Sequence, residues 1–127
     1  MSSPVAHLPS NALRSLGTVS QQYSRMANEY AAVATTAAQS EAAHKTARAK
    51  HMLTSRDSGE CRSVAEAEIR AEADDTIAGL FQQRLITRAL ADSHLEKLRQ
   101  LRTQVEVGRS YVASEREADR LTDQRHP

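Results

Sequence analysis

At 127 residues the chain is one domain's worth of material, and with 3% aromatic residues and no Trp it excludes a globular core of ordinary depth. A net charge of +1 excludes a bulk attraction to nucleic acid or to a membrane, and a single cysteine, Cys61, excludes a disulfide framework. That cysteine usage, with no apolar run of transmembrane length and no apolar core of a signal peptide, leads us to expect a cytoplasmic protein without a membrane partner.

The abundant Ala, with Glu, Lys, Arg, Leu and Gln, suits long thin helices whose backbones approach closely. None of the three Pro falls between Ser10 and His126, so more than a hundred residues lack an obligatory helix break. An all-α fold is therefore expected. Charge comes in blocks: residues 41–56 are basic, residues 57–79 hold seven acids against Arg62 and Arg70, and residues 80–109 turn basic again. Such blocks can pair with one another or with partners.

In chain order, residues 1–9 read as a disordered arm, and Ser10 or Asn11 can cap a first helix over about 11–56. Leu16, Val19, Tyr23, Met26, Tyr30, Val33 and Ala37 alternate in steps of three and four, an apolar seam with a seven-residue repeat. Beyond Ala37 the seam thins to alanines (Ala38, Ala42, Ala43, Ala47, Ala49) and recovers at Met52 and Leu53. Residues 57–62 form the turn, where Gly59 can take the left-handed conformation that ends a helix.

Ser63 and Glu66 then make an S-x-x-E capping box that opens a second helix at Val64, with acids in its first turns. Asp74 and Asp75 can recap a new helix or lie inside a continuous one, and continuity with a kink is the expectation taken here. The helix then runs to about residue 121, with apolar positions at Ile77, Phe81, Leu85, Ala89, Leu95, Leu98, Leu101, Val105 and Val112, and residues 122–127 fray. Rods of about 45 residues are roughly 70 Å long and, joined by one turn, make an antiparallel coiled-coil-like hairpin. Leu90, Leu98 and Leu101 cover a wider arc than one partner helix fills, so a homodimer with a four-helix core is predicted. Gly108 weakens its helix by up to about 1 kcal/mol relative to Ala, which predicts close packing at that point.

Few residues point to chemistry. His44 and His51 are seven apart, about 10 Å along a helix axis, too far for one metal ion. Glu66, Glu68 and Glu72 lack the loop and Gly of a calcium site. Cys61 lies beside Arg62 at a helix start with no histidine near in sequence, and reads as a surface thiol. No glycine-framed nucleophile and no phosphate loop is evident. The sequence therefore predicts no catalytic residue, no cofactor and no metal.

The arginines are the candidate working surface. Arg102, Arg109 and Arg116 repeat every seven residues on one helix face, with Arg99 beside them and Arg88 extending the basic character toward the turn. Guanidinium groups at this pitch can follow a phosphate backbone. The competing reading is local pairing, Glu106 with Arg109 and Glu117 with Arg120. Only Tyr111 lies near for base stacking.

Leu98, Arg99, Leu101, Thr103, Val105, Glu106, Val107, Gly108, Arg109 and Ser110 resemble a C-terminal pattern of small uncharacterised helical proteins of actinobacterial phages. Residues 47–69, basic before the glycine and Ala/Glu-rich after it, look like the same group's helix–turn–helix passage, so the resemblance covers about residues 47–117. It implies a non-enzymatic accessory role in phage DNA recombination or replication, in the host cytoplasm, with DNA or a DNA-processing protein as partner. The alternative is a helical scaffold or protein-binding module, for example an inhibitor of a host factor, that binds no nucleic acid. A metal-dependent enzyme is a third reading, which requires bound metal.

Overall fold

The computed structural model describes residues 11–125 and is all-α, with no strand among them. Helix α1 spans Asn11–Asp57, α2 Val64–Ala73 and α3 Asp75–Arg125. The expected arm over residues 1–9, the alternative cap Ser10 and the last two residues lie outside the described residues. No helix among the described residues is long and apolar enough to cross a membrane.

The joints follow local chemistry. Gly59 ends α1 with φ +77°, the left-handed conformation that glycine adopts without steric cost. The Ser58 and Cys61 N–H groups return to the carbonyls of Thr54 and Ser55 at 3.0 Å each. Ser63 caps α2 by accepting from the Glu66 N–H at 3.2 Å, but the reciprocal bond goes to the Arg62 N–H at 3.1 Å, one residue before its place in a capping box. Continuity from α2 into α3 is not observed. Asp74 is extended (φ −71°, ψ 128°), and its Oδ1 accepts from the Ile77 N–H at 3.0 Å, so this one side chain caps a new helix. At the far end α3 continues through residues 122–125, where fraying was expected.

The chain forms two compact units through which α1 and α3 both run: unit 1 comprises residues 11–28 and 95–125 of the described chain, and unit 2 residues 29–94. In unit 1, Val105 and Val112 are buried and Leu16, Val19, Tyr23, Met26, Leu95, Leu98 and Leu101 half-buried. Leu16 packs over Gly108, with its Cδ1 3.1 Å from where a Cβ would stand. A Cβ at this position is met by Leu16, whose side chain would have to give by a few tenths of an ångström.

In unit 2, α1 and α3 run in opposite directions, since Glu29 meets His94 whereas Glu41 meets Arg84 and His51 meets Asp74. The α1 seam keeps its seven-residue repeat beyond Ala37. Tyr30 and Val33 are half-buried, Ala37 and His44 are buried, and Ser40, Ala47 and His51 follow in the same register, which ends with a step of four from His51 to the buried Ser55. On α3 the seam is Ile77, Leu80, Arg84, Thr87 and Ala91, in steps of three and four.

This corrects the expected stripe Ile77, Phe81, Leu85, Ala89. Steps of four drift about 40° per step around a helix of 3.6 residues per turn, so that stripe leaves the seam. Phe81 is accordingly 45% exposed and Leu85 54% exposed. Cys61 is also buried, not a surface thiol, because the turn folds it back against the end of α1. Among the described residues no large side chain is fully buried. Small residues, Ala67 and Ala71 above all, carry the close contacts.

Candidate functional site

In unit 1 one flank of the helix pair carries a groove of about 310 Å³, lined by Ser20, Tyr23 and Ser24 from α1 and by Arg102, Val105, Glu106 and Arg109 from α3. Its position follows from the register. Tyr23 and Val105 belong to the seam, and the other lining residues stand one or four positions after a seam residue on one side. Arg116 is seven residues beyond Arg109, about 10 Å further along the same face of α3, and is exposed as Arg102 and Arg109 are.

The electrostatics of this flank are one-sided. Glu106 turns to Arg102 at 3.4 Å, one helical turn back, and not to Arg109 as the local-pairing reading expected. Glu117 does take Arg120, at 2.7 Å, and Arg99 meets Glu96 at 3.8 Å. Neither Arg109 nor Arg116 has an ion pair among the described residues, and across the seam Arg102 and Arg109 face Ser20 and Ser24, which carry no charge. The groove thus offers two guanidinium groups and three hydroxyls against a single carboxylate, and all five of those groups can donate hydrogen bonds to anionic oxygen. Arg88 lies in unit 2, paired to Asp92 at 3.5 Å, and does not belong to this groove.

Unit 2 has a polar seam that sequence reasoning missed. Arg84 reaches across to Glu41 Oε1 at 3.1 Å and to His44 Nδ1 at 3.1 Å. Guanidinium can only donate, so Nδ1 of His44 accepts and the ring is neutral, with its proton on Nε2. Burial, then the nearby charges of Arg84 and Arg48, hold the His44 pKa below its ordinary value. Phe81 covers the ring at a centroid distance of 5.2 Å. Glu41 is held below the usual carboxylate range by a hydrogen bond from Lys45 and by the charges of Lys45 and Arg84. One signal could have exposed this cluster: His44 and His51 extend the series Leu16, Tyr23, Tyr30, Ala37 at the same interval of seven.

The flank of unit 2 that carries Arg48 holds an open groove of about 580 Å³, lined by His44, Lys45, Arg48, Met52, Arg56 and Arg84 among others. Two of its three arginines meet acids, Arg84 at Glu41 (which Lys45 shares) and Arg48 at Glu72 at 3.7 Å, whereas Arg56 has no ion pair among the described residues. Glu72 is thereby engaged with a guanidinium, and among the described residues no group of three His, Cys, Asp or Glu is placed to hold a metal ion. Of the five arginines singled out from the sequence, Arg102 and Arg109 share the groove of unit 1 and Arg116 extends it. That groove is the candidate site.

Comparison with protein-family models, with curated proteins and with solved structures finds no match.

Proposed function

We propose that the chain is a non-enzymatic helical hairpin that self-associates as a dimer with a four-helix core and contacts DNA through the arginine-lined flank of unit 1. One observation carries the DNA reading: Arg109 and Arg116 are exposed, without an acidic partner among the described residues, and Arg102 and Arg109 face neutral hydroxyls across the seam. Arginines that serve only to pair with the neighbouring helix would face acids there. Arg102 is paired, but an exposed pair of this kind is worth about 0–1 kcal/mol, so a phosphate can displace Glu106 at small cost. Binding of this kind reads the phosphate backbone and not the base sequence. Through the resemblance of residues 47–117 to small phage proteins, we take the biological role to be an accessory one in phage DNA recombination or replication.

The test replaces Arg102, Arg109 and Arg116 together by Gln and compares DNA binding over a salt series. Each lost phosphate contact lowers the slope of log affinity against log salt by about 0.9, so the triple variant should lose about 2–3 units of slope with helicity unchanged. A second reading, a scaffold or protein-binding module without nucleic acid, is favoured by a different observation. Ile86 and Leu90 are 56% and 51% exposed on the flank opposite the charged groove of unit 2. Under that reading the wild-type chain shows no shift with any DNA form, and its binding follows the apolar flank.

A further inference from the structure

A second groove of unit 2 draws its lining from all three helices. It has a volume of about 460 Å³ and is lined by His44 and Arg48 from α1, Glu72 from α2, and Ile77, Ala78, Phe81 and Gln82 from α3. Small-molecule sites have this size, and they combine an apolar wall with a few convergent polar groups.

The polar group of most interest is His44, which is 7% exposed and lines this groove as well as the neighbouring one of about 580 Å³. Its Nδ1 accepts from Arg84 at 3.1 Å, so Nε2 carries the proton. That N–H has no acceptor among the described residues. Yet no buried side-chain nitrogen or oxygen among them lacks a partner. The free N–H is therefore one that solvent reaches, and the two grooves are what open onto His44.

Phe81 leans on the imidazole, with ring centroids 5.2 Å apart and planes tilted by 48°, but stays 45% exposed. Ile77 and Ala78 extend this apolar wall. Arg48 supplies the charge. The acid it meets, Glu72, stands 3.7 Å away with a side chain 70% exposed, and a pair so exposed is readily exchanged for another anion. Glu72 is the one acid in the lining; Glu41 is shared by Arg84 and Lys45 at 3.1 Å each, and Asp74 faces His51 at 3.7 Å. At the imidazole itself the charges of Arg84 and Arg48 add to burial in lowering the pKa, and no acid offsets them. An anion is the charge that this point attracts.

We propose that this groove binds a small aromatic carboxylate, its ring against Phe81 and its carboxylate between the Arg48 guanidinium and the His44 Nε2–H. Both donors give the carboxylate hydrogen bonds, that of Arg48 charge-assisted, and Glu72 turns to solvent. An ammonium in the same place meets Arg48 and gains nothing from an N–H that can only donate. An aliphatic carboxylate keeps the head contacts and forgoes the ring pair. The site lies within unit 2, whereas the arginine flank proposed for DNA lies in unit 1.

The test titrates phenylacetate into the full chain and follows the imidazole signals of His44 by NMR, assigned through His44→Gln. Phenethylamine and hexanoate serve as the comparison ligands. The expected result is a saturable shift of His44 with phenylacetate while His94 stays unmoved, a weaker response to hexanoate and none to phenethylamine. Arg48→Gln should weaken phenylacetate about tenfold or more, as the loss of a charge-assisted hydrogen bond requires. Phe81→Ala should weaken it about two- to tenfold, the range of an aromatic pair. If Phe81→Ala loses helicity, Phe81→Leu decides, since it keeps an apolar cover over His44 without a ring. No saturable shift of His44 with phenylacetate overturns the site. Equal affinity for phenethylamine, or affinity indifferent to Arg48→Gln, overturns the carboxylate contact. Equal affinity for hexanoate, or affinity indifferent to loss of the Phe81 ring, overturns the aromatic one.

Discussion

His44 shows how one buried residue can bind two helices while losing part of its own titration. It accepts a hydrogen bond from Arg84, lies under Phe81 and stands close to Arg48, so a second cation at this point is unfavourable. Its folded pKa is depressed, so below the ordinary value of 6.5 the unfolded chain takes up a proton that the folded chain refuses. Stability attributable to His44 is therefore full above about pH 7.5 and falls as the pH drops through about 6.5. In urea melts at pH 7.5 and 5.5, wild type should lose more stability on acidification than His44→Gln, whose amide oxygen can still accept from Arg84. Equal losses in the two proteins would sink this account of His44. Cys61 gives a second test at the same scale. Being buried, it should react with a thiol reagent only as the chain unfolds, and rapid labelling of the native protein would contradict its placement.

At the scale of elements, the decisive feature is the interruption at Asp74. The sequence Asp74-Asp75-Thr76 was compatible with a kinked continuous helix, and hydrophobic pattern alone does not separate that from a recapped one. The structure spends Asp74 on the cap of α3, through Oδ1 and the Ile77 N–H. Asp74 also faces His51 at 3.7 Å. Asp74→Ala should therefore lower the stability by about 1 kcal/mol, within the usual 0.5–2 for a lost cap, whereas Asp74→Asn should retain most of it. Equal stability of all three chains would mean that the cap contributes nothing. The first half of α1 was legible in sequence because Leu16, Tyr23 and Tyr30 are large and apolar at an interval of seven. The first half of α3 was not, because its seam is occupied by Arg84, Thr87 and Ala91 while larger apolar residues stand beside it. Polar side chains that satisfy one another across the seam carry no hydrophobic signal, and Phe81 and Leu85 supplied a false one.

For the whole molecule, the scarcity of large side chains has a consequence that composition already announced. Close approach of alanines gives helix pairs with little buried apolar area, and Ile86 and Leu90 stay uncovered within one chain. The candidate site was legible as a list of arginines but not as a surface. Which acid each guanidinium meets depends on rotamers, and the finding that Glu106 serves Arg102 and leaves Arg109 free emerges only from the packed helices. The direct test of the central claim is DNA binding by the wild-type chain and by the Arg102, Arg109, Arg116 to Gln variant across a salt series. The account predicts salt-sensitive binding whose slope falls by about 2–3 units in the variant while its helicity and mass stay unchanged. Binding that is indifferent to the triple substitution, or absent from the wild type at low salt, would contradict it.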